Sequence, residues 1–335
     1  MNRYLLLLAI LSLQACENVL VNEELDTDQT TVFQLLWEDF DKHYAGFTVR
    51  SLDWDSVYVS TVSEIDSGLD PVEFQEKITQ ILLAFEDIHV GLVIPRVGRT
   101  IYRADNPNSL KGIGSLEGYL GSISENTVFR WGRISGENMG YIHVKTFSGT
   151  IDLAAFEDID EILSQLRDTE GLILDMRGNS GGEAASSYAV ASRFIDRSFV
   201  ALKAQFRNGP NHDDFDDTID GRIDPAGPFQ YLNPIVILMN KSTQSAAELF
   251  VLPLEIQPYI TTVGDFTAGG MGLNSYRELP NGWNYRLTTT LTSNANGVSF
   301  EGRGIPPDEQ VFITAQDSIQ GIDPQLERAI ELLGN

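Results

Sequence analysis

Apolar positions along the chain change their period several times, and each change predicts an element. From Thr31 onward, Phe33, Leu36, Trp37, Phe40 and Tyr44 fall at helical spacing, with Thr30 and Thr31 as caps. A second helix is expected over 71–85, with Phe74, Ile78, Ile81, Leu82 and Phe85 along one face. Residues 31–95 thus read as a small N-terminal helical domain that closes with a strand over 89–95. The Gly- and Ser-rich stretch 96–137 predicts only short strands and reads as a connecting region. Beyond it the pattern alternates. A strand over 140–147, a helix over 153–166, an apolar strand over 171–175, a helix over 184–194 and a strand over 199–206 are expected in turn. A polar excursion over 207–230 leads to the apolar run Ile235–Met239, a helix after Ser245, hairpin-like strands over 260–292 and a C-terminal helix over 324–333. Strands alternating with helices predict an α/β fold, its largely parallel or mixed sheet covered by helices on both faces.

The N-terminus has a different character. Residues 1–15 join a single Arg3 to an apolar stretch too short to span a bilayer, the shape of a secretory signal. That stretch ends at Cys16, the only cysteine of the chain, and resembles a bacterial lipobox in which the cysteine is lipidated. A leftover cysteine in an ordinary signal peptide is the alternative. Residues 16–30 are acidic and polar and read as a tether. The expected location is therefore the bacterial cell envelope, with the chain lipid-anchored in the periplasm or at the outer membrane. A net charge of −25 argues against nucleic-acid partners, which need clustered Lys and Arg.

Chemistry concentrates at two turns. Ser245 follows the apolar run 235–239 after a short polar stretch and precedes a helix, so its hydroxyl sits at a strand-to-helix corner beside unpaired N–H groups. A Ser/Thr-rich helix cap is the plainer reading of that corner. Asp175-Met-Arg-Gly-Asn-Ser-Gly-Gly182 also follows an apolar strand and precedes a helix, and its glycines would let the backbone approach a ligand closely. It lacks the spacing of a phosphate or dinucleotide loop. The acidic group Asp213, Asp214, Asp216, Asp217 and Asp220 does not meet the twelve-residue calcium pattern and reads as a solvated loop. No His/Cys metal spacing occurs, so neither metal nor cofactor is expected.

Four segments together resemble the S41 peptidases, the family of C-terminal processing and tricorn-core proteases. Asp175–Gly182 looks like that family's D-x-R-x-N-x-G-G segment, and Asn240–Glu248 is similar to its nucleophile segment, a register that selects Ser245. Gly264–Gly269 and Glu301–Asp308 resemble its G-x-x-T-x-G strand end and its closing E-G-x-G-I-x-P-D turn. The resemblance spans roughly 138–315 and implies a ClpP/crotonase-like core over 138–335. It also separates two catalytic variants. The processing branch uses a lysine downstream of the serine, but the matching position is Gly270 and no lysine follows Lys241. The tricorn-like branch takes a histidine from before the core and a glutamate near its end. His89 resembles the D-G-H element of that branch, with Ile88 in place of glycine, and is the first candidate base; His212 is the alternative base. His143 reads as a strand residue and His43 as a helix-end residue.

The resemblance then implies Ser245 as nucleophile, His89 as base, and Glu301 on the far ring nitrogen fixing the tautomer. The backbone N–H of Ala246 and of Gly181 or Gly182 would receive the oxyanion. No PDZ module is expected in 96–137, which is short for one. The implied function is a serine endopeptidase acting on polypeptides. A binding protein on the same fold and an esterase are the other readings.

Overall fold

The computed structural model describes residues 27–95, 99–100 and 116–334. Its helices are α1 Gln29–His43, α2 Trp54–Asp66, α3 Pro71–Leu83, α4 Ile159–Leu166, α5 Ala184–Ala191, α6 Ala246–Leu254, α7 Ala315–Gln320 and α8 Pro324–Gly334. Its strands are β1 Gly91–Ile94, β2 Arg99–Thr100, β3 Leu120–Glu125, β4 Phe129–Ile134, β5 Met139–Val144, β6 Gly171–Asp175, β7 Phe199–Phe206 and β8 Ile219–Ile223. They continue with β9 Ile235–Met239, β10 Ile260–Gly264, β11 Asn274–Glu278, β12 Asn284–Thr288, β13 Thr290–Asn294 and β14 Glu309–Gln310. The expected signal, Cys16 and most of the tether lie outside the described residues, as do 96–98 and 101–115 of the stretch in which no PDZ module is expected.

The centre is a seven-stranded sheet in the order β14-β10-β9-β6-β5-β4-β3. From β14 to β5 the pairs are parallel; β4 and β3 are antiparallel. Its inner strands are apolar throughout because both faces are buried. Ile142, Val144, Leu172, Leu174, Ile235 and Ile237 point to one face, where α4, α5 and α6 pack. Tyr141, Ile173, Val236 and Leu238 point to the other, covered by Leu326 and Ala329 of α8. This is the mixed sheet with flanking helices that the alternating pattern predicts. β3 and β4 come from the stretch expected to be a connector, and they extend this sheet as its antiparallel edge.

The N-terminal helices do not form a core by themselves. Phe33, Leu36, Phe40, Trp54, Ile78 and Phe85 share one apolar cluster with Leu92 of β1 and with Leu279, Tyr285 and Leu287. β1 pairs antiparallel with β12, with Gly91 opposite Arg286, in a four-stranded sheet ordered β11-β12-β1-β2. The helical region is thereby sewn to a hairpin almost two hundred residues downstream, and the turn before β1 is brought against the central sheet. A third sheet, β13-β7-β8, includes a strand from the expected polar excursion. The 153–166 helix is split: a 3-10 turn, Leu153–Phe156, precedes α4.

Candidate active site

Two turns converge on a cleft of about 520 Å³ lined by Ile88, His89, Ser180, Gly182, Gln244, Ser245 and Arg286, among others. The first is the strand-to-helix corner after β9. Asn240 closes it by accepting the Ser242 N–H, Thr243 Oγ1 donates to the Met176 carbonyl, and the Gln244 N–H donates to the Asn179 carbonyl. The corner is therefore tied to the Gly-rich turn. Ser245 at its tip has φ 54° and ψ −121°, a conformation that L residues rarely hold and that costs on the order of 1–3 kcal/mol. Among the described residues only one other non-glycine has a positive φ: Glu86, at 52°, in the turn that carries His89.

That second turn follows α3. Asp87 Oδ1 accepts the His89 N–H at 2.8 Å, and its Oδ2 accepts from Tyr44 Oη at 2.9 Å and Thr288 Oγ1 at 2.8 Å. The ring is buried, and its Nε2 lies 3.0 Å from Ser245 Oγ. Burial pulls the His89 imidazole below its ordinary pKa; Asp87 pushes it back up, while Arg286 and Arg50 lower it further. A neutral imidazole at hydrogen-bond distance from a hydroxyl at a strained corner can take its proton.

Residues 138–311 match the model of peptidase family S41. The chain belongs to peptidase family S41. Carboxy-terminal processing protease CtpA of Bacillus subtilis is 25% identical over 198 residues, covering 58% of this chain and 40% of that protein. Tricorn protease of Thermoplasma volcanium is 25% identical over 304 residues, 81% of this chain and 27% of that protein. The chain thus spans less than half the length of either curated relative. Among solved structures, a candidate peptidase from Parabacteroides merdae has a TM-score of 0.83 at 28% identity, over 92% of this chain and 97% of that one.

For an S41 chain, Glu248 is the residue whose part the sequence reading underrated. It is buried on α6 and receives four donors: the N–H groups of Ser245, Gly269 and Gly270, and Thr267 Oγ1. Burial pushes its carboxyl up, and the Thr267, Gly270, Gly269 and Ser245 hydrogen bonds pull it back part of the way. The Ser-x-x-Glu spacing is a capping signal that could have revealed it.

The Gly-rich turn lies directly behind Ser245. A Cβ on Gly181, which has φ +86°, would meet the Gln244 carbonyl oxygen at 2.5 Å and the Ala246 nitrogen at 2.8 Å. One at Gly182 would sit 1.9 Å from the Phe147 oxygen. The Gly181 N–H donates to Asn179 Oδ1 at 2.9 Å, so it is engaged. The N–H groups of Gly182 and Ala246 donate to none of the turn, loop or cap carbonyls among the described residues. Of the three expected oxyanion donors, Gly181 is thus the one seen to be engaged.

Glu301 departs from its expected place. His89 Nδ1 is buried without a hydrogen-bond partner among the described residues, so Glu301 does not hold the far ring nitrogen. Its Oε1 instead accepts the Met271 N–H at 2.8 Å, and its Oε2 faces Arg50 at 3.8 Å. The alternative base is also placed elsewhere: His212 stacks on Phe47 with centroids 3.9 Å apart and meets Asp41 at 2.7 Å. His143 Nε2 contacts the Arg177 carbonyl and His43 Nδ1 contacts Asp39, so neither is at the cleft.

Proposed function

We propose that this chain is a serine endopeptidase in which Ser245 is the nucleophile and His89 the general base. The observation that carries the reading is the 3.0 Å approach of His89 Nε2 to Ser245 Oγ at the wall of a cleft. Ser245 Oγ attacks the peptide carbonyl carbon as its proton passes to Nε2. The carbonyl oxygen becomes an oxyanion facing the Ala246 and Gly182 N–H groups, a contact typically worth 10²- to 10³-fold in rate per donor. The imidazolium then protonates the leaving amine, and water repeats the sequence to release the acyl group from Ser245. Asp87, two residues before His89, supplies the nearby negative charge that favours the imidazolium.

The test is covalent labelling of the purified chain by a fluorophosphonate, with casein and short acyl esters as substrates. Labelling at Ser245, lost in Ser245→Ala, together with casein cleavage is expected. A folded protein that takes no label between about pH 6 and 9 is a binding protein on this fold, and high ester turnover without peptide cleavage makes it an esterase.

We also infer attachment to the bacterial envelope through a lipidated Cys16. The support is the sequence around that cysteine; among the described residues no helix is long and apolar enough to cross a membrane. Full-length protein made in a bacterial host is expected in the detergent phase of a Triton X-114 separation, and Cys16→Ser in the aqueous phase. Equal partitioning of the two removes the anchor.

A further inference from the structure

The imidazolium that forms on His89 during the proposed reaction needs negative charge close by, and the buried Asp87 carboxylate stands there. Asp87 is in the same turn, and Glu301 lies behind the loop 269–271. Burial, Asp87 and Glu248 push the Glu301 carboxyl well up, and a buried carboxylate is costly unless a cation pairs with it. Arg50, which follows a 3-10 turn at Ala45–Thr48 in the helical region, is placed to do this. Its Nε is 3.7 Å from Asp87 Oδ2 and its Nη2 is 3.8 Å from Glu301 Oε2.

The same guanidinium binds backbone on both sides of the cleft. Nη1 donates to the Glu86 carbonyl at 2.7 Å, in the strained turn before His89. Nη2 donates to the Gly269 carbonyl at 3.2 Å, and the Gly269 N–H is held by Glu248, which in turn holds Ser245. One side chain therefore connects the turn carrying His89 to the loop supporting Ser245. A planar fork with several donors can make these contacts at once; an ammonium cannot.

We propose that Arg50 is a positioning residue that fixes His89 against Ser245 and sets the charge His89 experiences. The inference rests on the Ser245 and His89 reading. The charged groups facing His89 are Asp87 from its own turn, Arg50 from the helical region and Arg286 from β12. Behind them, Glu301 and Glu248 face the same pocket of charge. Arg50 is the main charge that holds buried Asp87 ionised, and the hydrogen bonds from the His89 N–H, Tyr44 and Thr288 continue to favour that ionised form when Arg50 is neutralised. Removing the Arg50 charge then leaves Asp87 less opposed, and the imidazole holds its proton to higher pH.

The experiment measures the rate of fluorophosphonate labelling against pH for the full chain, Arg50→Lys, Arg50→Met and Ser245→Ala, with thermal melting alongside. Arg50→Lys keeps the charge and loses the fork: its acidic limb stays in place and its rate falls about 10-fold. Arg50→Met loses both: its rate falls about 100-fold and its acidic limb moves to higher pH. An unmoved limb in folded Arg50→Met overturns the proposal, as does a full wild-type rate in Arg50→Lys. The lysine variant decides alone if the methionine variant does not fold. Wild-type labelling that survives Ser245→Ala instead overturns the underlying serine reading. A Ser245-dependent wild type with indistinguishable Arg50 variants defeats only the Arg50 role.

Discussion

Substituting alanine for His89 is expected to lower fluorophosphonate labelling and casein turnover by about 10⁴-fold or more, since removing one member of a cooperating nucleophile and base costs nearly as much as removing both. Combining it with Ser245→Ala should then cost little further, and that non-additivity is the sharper measurement. A His89→Ala chain that keeps more than about a tenth of the rate excludes the imidazole as base. The pH dependence has a definite sign. Only neutral His89 accepts the serine proton, and burial holds its pKa below the ordinary value of 6.5. The acidic limb of kcat/KM should therefore lie below that value. His143 is buried and depressed in the same way. For both, the unfolded chain binds the proton more readily, so their stabilising contribution is fully present above the ordinary imidazole value and is lost as the pH falls below it. Denaturant unfolding at several pH values measures this, and stability that does not fall on acidification through this window rules it out.

The second large effect is expected at Glu248. Glu248→Ala strands the N–H groups of Ser245, Gly269 and Gly270 and the Thr267 hydroxyl in a buried site. Each unsatisfied donor costs about 1–3 kcal/mol, so a loss of at least about 3 kcal/mol in denaturant unfolding is expected. Labelling of Ser245 should fall by about 10²-fold in whatever fraction remains folded, because the corner can relax from its strained φ. Glu248→Gln keeps one accepting oxygen but turns an NH₂ toward two donors, so it should recover only part of the stability. An alanine variant as stable as wild type would show that Glu248 does not hold the corner.

Much of the fold was readable because its central strands are buried on both faces and announce themselves as apolar runs. Ile235–Met239 and Gly171–Asp175 begin and end where the spacing places them. Helix α2 was missed for a physical reason. Its Ser-Val-Tyr-Val-Ser-Thr-Val run is β-branched and alternating, a pattern of low helix propensity that tertiary packing of Trp54, Thr61 and Ile65 overrides. Strand β8 hid in a polar loop because it is mostly solvent-facing. At the site, Ser245 and His89 were legible through motif and resemblance, and the structure brings them together. Glu301 was carried over by position, and its side chain turned out to be taken by the Met271 N–H and Arg50. Asp87 was visible only as the first residue of the D-G-H-like element, and Arg50 had no local signature. Arg50 is one charged residue after a turn, and its meaning comes from partners up to 251 positions away, as Glu301 is.

The pairing of β1 with β12 has a consequence for the newborn protein. As the chain is synthesised it delivers His89 early and Ser245 much later, but β1 has only the two-residue strand β2 as a partner until residues 284–288 are out. Contacts of such long sequence separation form late in folding. The strand pairing that seats the His89 turn beside the Ser245 corner is thus completed only when the chain is nearly whole.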